Sequence, residues 1–393
     1  MATLWPRAAA TEFERKVRMR ELIIDLDAIA KNLRTMTAKV TRHDESRPLV
    51  MCVVKADAYG HGMIPVARKL EAEGADYLGV ADIGEALTLR NAGIDLPILA
   101  WLHSPRETFV AAISAGIELG IANREQLDRV AEAAKQTGRV ARIHLKIDTG
   151  LGRNGSTEGD WLGLLERAKE LVASRLIQTV GIFSHLSCTS DADDLRQIAR
   201  FDAAVEQARA ADVTFELRHL TASDGSLNYP QALYDMVRIG VALYGLSPFV
   251  EHGSADFDLV PAMTATALVV QTKRVATGQG VSYGYLHRTT SDSTLALIPV
   301  GYAEGLPREA SGKAWVAIDG KRYEVSSRIA MDQFVVDVGD AAVEAGDLVT
   351  IFGDPAAGVP SADDWAAAAA TLNYEIVTRM GGRFARRYLG AVE

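Results

Sequence analysis

The chain has 393 residues, 48% hydrophobic and 24% charged, which exceeds what one core usually supports and excludes a disordered or fibrous protein. Its formal net charge of −9 is spread without a long single-sign block, so small molecules rather than nucleic acid or an anionic membrane are the expected partners. Cys52 and Cys188 stand far apart without a CxxC neighbour, which argues against a disulfide framework or a cysteine-rich zinc site and fits a reducing cytoplasm; no metal is expected.

Residues 1–20 carry Arg7, Arg15, Lys16, Arg18 and Arg20 but no apolar core of a signal peptide, and are read as a tail. No apolar run along the chain reaches the length of a membrane span. Over residues 21–258, short β-branched runs alternate with helical patterns, the signature of βα units around a parallel sheet. The runs lie at 49–54, 77–81, 97–102, 117–122, 142–147, 177–183, 214–220 and 235–240. Helical periodicity is clearest at 83–93, 123–138 and 194–210. Eight units of about 25 residues predict an α/β fold with a closed (β/α)8 TIM-like barrel, an open doubly wound sheet being the alternative. Residues 259–393 change character: strands separated by Gly, Asp and Ser turns predict a mostly-β second domain, with one helix over 364–380.

Lys55 ends the first predicted barrel strand, where barrel active sites gather. A strand-end lysine can snorkel to solvent, or it can be a desolvated amine with a depressed pKa, suited to Schiff-base formation. The surrounding VVKADAYGHG resembles the cofactor-lysine motif of alanine racemases. The likeness continues in order through KIDTGLGRNG, FSHLS, MVRIGVALYGLSP, GVSYG, GYAEGLPR, RIAMDQFVVDV and NYEI, spanning almost all of 21–393.

That resemblance implies pyridoxal 5′-phosphate on Lys55, with Tyr59, Ser223, Gly240, Val241 and Tyr374 holding its phosphate. Arg238 matches the arginine facing the pyridine nitrogen, with His185 bonded to it; a fixed cation there favours reprotonation at Cα over transamination. Racemisation needs a base on each face of a planar carbanion, and Tyr283 matches the second, supplied by the neighbouring subunit of a homodimer. A phenol is a poor base at neutral pH unless nearby positive charge favours its phenolate. Arg153 and the Met331 amide would bind the substrate carboxylate, with Lys146 at a position carbamylated in many relatives. Tyr302 and Arg308 match an entry gate that Asp332 supports. The implied activity is interconversion of L- and D-alanine, supplying D-alanine for peptidoglycan.

Two positions depart from the family pattern. Ala222 replaces an asparagine before Ser223, and Ile239 replaces a proline after Arg238. Both leave serine or another small amino acid as a rival substrate. A barrel-type decarboxylase is the other rival, but such enzymes use a second-domain cysteine and none follows Cys188. A cofactor-binding protein without turnover would lack the second domain and Tyr283.

Overall fold

The computed structural model describes residues 18–42 and 44–391, so the expected tail up to position 17 lies outside the described residues. The chain divides into two units: Leu26–Val260, and the segment to Asp25 joined with Pro261–Leu389. The first strand, β1 (Arg20–Asp25), belongs to the second of these.

All eight predicted barrel runs form strands: β2 (Leu49–Val53), β3 (Tyr77–Val80), β4 (Ile98–Ala100), β5 (Glu118–Ile121), β6 (Ala141–Lys146), β7 (Ile177–Phe183), β8 (Leu217–His219) and β9 (Met236–Ile239). They pair in parallel in the order β8-β7-β6-β5-β4-β3-β2-β9. Between β9 and β8, Asp235 N–H donates to Arg218 O and Arg238 N–H to Thr221 O, each at 3.1 Å, so the ring is nearly closed. The strands are buried almost throughout, which is why they read as continuous apolar runs rather than alternations. Met51, Tyr77, Leu99 and Met236, from four strands, pack as one cluster.

The surrounding helices begin and end where local chemistry dictates. In Arg124–Thr137 the Asn123 side chain accepts from Gln126 N–H, and Gly138 closes the helix at φ 65°. A cap of this kind contributes about 1 kcal/mol, and the positive φ costs glycine nothing. No helix among the described residues is long and apolar enough to cross a membrane.

In the second unit the six-stranded sheet runs β16-β15-β18-β10-β1-β19, with β10 (Met263–Leu268), β15 (Trp315–Ile318), β16 (Lys321–Glu324), β18 (Leu348–Phe352) and β19 (Ala385–Leu389). A three-stranded sheet holds β11 (Gln271–Val275), β14 (Ser293–Ile298) and β17 (Phe334–Gly339), and β12 (Gly280–Val281) pairs with β13 (His287–Arg288). The β15–β16 hairpin turns on Asp319-Gly320, both at positive φ, the chemistry a two-residue hairpin requires.

Two expectations give way. Residues 21–25, expected with the barrel, instead form β1, which sits between β10 and β19. Leu22 and Ile24 are fully buried while their neighbours are partly exposed, the period-two pattern of a half-buried sheet rather than a barrel strand. The single helix expected over 364–380 is two, Ala362–Ala369 and Asn373–Arg379. The break falls at Ala370, φ 53°, and Asn373 Nδ2 donates to Asp363 at 2.7 Å, tying the second helix back onto the first.

Candidate active site

Lys55 follows β2 at the carboxyl end of the barrel strands. Directly after it, Ala56, Asp57, Ala58 and Tyr59 all lie at φ 53–55°, a left-handed turn of four non-glycine residues. Each costs roughly 1–2 kcal/mol. The turn persists because its polar groups are matched: Gly62 N–H donates to Asp57 O at 2.8 Å, and Met63 N–H to Asp57 Oδ1 at 2.7 Å. Glu85 clamps its start, accepting from Ala56 N–H at 2.6 Å and Ala81 N–H at 2.8 Å. Burial, then the charge of Arg153, lowers the pKa of Lys55; Glu85 opposes them and Arg238 adds to them. Its Nζ lies 6.0 Å from the Trp101 ring.

Lys146 closes β6 with its Nζ 5.3 Å from the Phe183 ring. Burial, then Arg238 and Arg153, push its pKa down to about 8. Asp148 partly counters this, and its carboxylate accepts from the Gly150 and Gly152 amides at 2.9 and 3.1 Å, shaping the loop that presents Arg153. His185 is held neutral by burial and by the same cations, Arg238 foremost. The barrel end is therefore a focus of positive charge, suited to anions.

Arg238, in β9, is buried, which lowers its pKa to about 10. One terminal nitrogen, Nη1, donates to His219 Nδ1 and His219 O, both at 3.1 Å. The other, Nη2, is aimed at Ser184 O (2.8 Å), Leu220 O (2.7 Å) and His185 Nδ1 (3.1 Å). The hydrogens on Nη1 and Nη2 are thus committed to protein acceptors, while Nε–H bonds to none among the described residues. Gly240 N–H donates to Ser223 Oγ at 3.1 Å. A Cβ on Gly240 would stand 2.5 Å from the Tyr59 hydroxyl, so any larger residue there would force Tyr59 or the turn to shift. Val241 follows, buried.

Beneath these groups runs a chain that the sequence reading did not single out. Arg238 meets His219, His219 Nε2 lies 2.9 Å from His144 Nδ1, and His144 Nε2 lies 2.7 Å from Glu118 Oε2. Arg142 and Tyr77 also bond the Glu118 carboxylate. The available signal was Glu118, His144 and His219 within the strand runs IELGIA, RIHLKI and TFELRHL, of which only the first is otherwise apolar.

In the second unit Tyr283 is 73% exposed. It sits between Ser282, φ 56°, and Gly284, φ 72°, at the turn joining β12 to β13. Tyr302 N–H donates to Ala330 O at 3.1 Å and Ala303 N–H to Met331 O at 3.0 Å, so the predicted gate and the Met331 segment form one piece. Gly301 and Gly305 permit it, since a Cβ on either would overlap the backbone at 330–331 or at Arg379. Asp332 pairs with Arg383 at 2.7 Å, and Arg383 also pairs with the buried Glu304; Asp332 is thus linked to the turn at Tyr302–Glu304 by way of Arg383. Arg308 opens a short turn to Ala310, and Tyr374 is the second residue of Asn373–Arg379.

Comparison with known proteins identifies the family. The family model "Alanine racemase, N-terminal domain" matches residues 24–248 and "Alanine racemase, C-terminal domain" matches 262–388. The alanine racemase of Frankia casuarinae is 48% identical over 372 residues, covering 93% of this chain and 95% of that one. That of Salinispora arenicola is 46% identical over 374 residues, covering 94% and 98%. The crystal structure of alanine racemase from D-cycloserine-producing Streptomyces lavendulae superposes with a TM-score of 0.93 at 43% identity, covering 96% of this chain and 99% of that one. With both of its units matched in order and the strand-end cluster in place, the chain belongs to the alanine racemase family.

Proposed function

We propose that the protein interconverts L- and D-alanine with pyridoxal 5′-phosphate carried on Lys55, supplying D-alanine for peptidoglycan. The observation that carries this reading is the donor set around Arg238, a buried guanidinium with its terminal hydrogens committed and Nε–H left to meet a ring nitrogen. The fit extends to the phosphate, for which Gly240, Val241, Ser223 and Tyr59 crowd together without any carboxylate among them; Tyr374 would complete the set. When bound, the cofactor draws electrons away from the substrate Cα and makes its hydrogen acidic.

The protein's own groups decide what happens to that hydrogen. Lys55, with its lowered pKa, removes and returns the proton on one face of Cα, acting on D-alanine. Tyr283 does so on the other face, acting on L-alanine, and comes from a second copy in a homodimer, as does the Met331 amide. Arg153 holds the substrate carboxylate with its planar fork. Arg238 resists protonation of the cofactor ring, which keeps the returning proton at Cα. Tyr302 and Arg308 narrow the entrance to small side chains, with Asp332 in support.

Lys146 is carbamylated in this reading. With a pKa near 8, part of its amine is unprotonated at neutral pH and can add carbon dioxide, and the resulting anion relieves the crowding by Arg153 and Arg238. Intact mass should show an increment that mild acid removes; a bare amine in the native protein would refute it. A cytoplasmic location belongs to the same reading, supported by Cys52 and Cys188 standing free and far apart in the sequence.

Purified protein incubated with L-alanine in deuterium oxide should yield both enantiomers carrying α-deuterium. L-alanine that stays L and gains no deuterium would sink the assignment.

A further inference from the structure

We propose that Glu118 is a positioning residue for racemisation: through His144 and His219 it imposes a one-way hydrogen-bond chain that locks the Arg238 guanidinium in place. The functional half of this rests on the role proposed for Arg238.

The polarity follows from counting protons. A guanidinium has five N–H donors and no lone pair, so His219 Nδ1, 3.1 Å from Arg238 Nη1, can only accept. Burial and the charge of Arg238 hold His219 well below its usual pKa, leaving one ring proton. That proton must sit on Nε2, which then donates to His144 Nδ1 at 2.9 Å. His144 accepts there, so its own proton sits on Nε2 and donates to Glu118 Oε2 at 2.7 Å.

Glu118 is ionised at the far end. Burial alone would raise its pKa, but the hydrogen bonds from His144 and Arg142, with the charge of Arg142, hold it below the usual carboxylate value. A carboxylate only accepts, and Glu118 does so from His144, from Arg142 Nε at 2.7 Å and from Tyr77 Oη at 3.1 Å. The reverse polarity would set His219 Nδ1–H against Arg238 N–H, two donors face to face. The negative end at Glu118 excludes it. Strand β7 is built to let the chain pass: a Cβ on Gly181 would overlap the His144 ring, whose contact with His219 spans from β6 to β8.

The consequence is a guanidinium that cannot swing towards the substrate carboxylate or the phosphate, leaving Nε–H as its one outward donor. Glutamine at position 118 would break this logic. With its oxygen towards His144 it sets an amide N–H against Arg142; turned over, it sets one against His144 Nε2–H.

The test is 15N spectroscopy of the full-length enzyme, as purified, with its histidines labelled. We expect one-proton Nε2–H signatures for both rings and a 15N–15N coupling across the His219 Nε2–H···Nδ1 His144 bond. In Glu118→Gln at least one signature should change, and kcat for alanine should fall about tenfold, the loss of one charge-assisted hydrogen bond, with KM little altered. Nδ1–H or doubly protonated rings in the wild type overturn the proposal, and so does a variant with unchanged kcat, whatever its tautomers. Should the variant fail to fold, the wild-type spectrum decides alone. A protein with the expected tautomers but no racemisation of alanine would defeat the functional reading and leave the chain polarity standing.

Discussion

Lys55, Lys146 and Arg238 are all buried or half-buried cations; Arg238 lowers the proton affinity of both lysines, and Lys55 adds to the lowering at Lys146. For Lys146 this gives a pH signature with a definite sign. Its folded pKa of about 8 lies below its ordinary 10.5, so between those values the unfolded chain binds more protons and folding stability rises with pH. In cofactor-free protein kept free of carbon dioxide, the Tm of the wild type should gain on that of Lys146→Met as pH rises from 8 towards 10.5. Parallel Tm curves for the two proteins across that window would contradict the assignment. Lys55, Arg153 and Arg238 were legible in the sequence because their motifs are contiguous. Glu118, His144 and His219 were not, because three residues on three separate strands meet only when the barrel curls.

At the scale of elements, the strand ends and the turn after Lys55 set the site. The left-handed run at 56–59 brings Tyr59 round to Gly240, so that its hydroxyl occupies the space a side chain at 240 would take. Gly240→Ala should therefore displace Tyr59 or the turn after β9, with an overpacking cost of about 1–3 kcal/mol and weaker retention of pyridoxal phosphate on dialysis. An alanine variant with wild-type stability and cofactor retention would show that the close approach has no functional weight. Periodicity identified the barrel strands because burial on both faces leaves continuous apolar runs. It failed at 364–380, where an alanine-rich run has helix propensity throughout while Ala370 adopts a left-handed backbone that propensity does not encode.

At the scale of the whole molecule, the proposed pairing of Lys55 with Tyr283 from a second copy makes each site a property of two chains. Lys55→Ala and Tyr283→Phe should each be inactive as pure proteins. Mixed under conditions that exchange subunits, they should recover about a quarter of wild-type activity, because half the dimers are hybrids and each hybrid keeps one complete site. No recovery, with hybrids shown to form, would place both bases in one chain. What the sequence by itself determined is the local chemistry: eight apolar strand runs, the motif around Lys55, the order of the family segments and therefore the class of reaction. What only the tertiary structure decided is where separated residues meet. The alternating burial of Leu22 and Ile24 sends β1 to the sheet of the second unit, and the gap above Gly181 lets His144 reach His219. Both depend on which neighbours a strand acquires, and pairing between strands far apart in the chain leaves little trace in either strand alone.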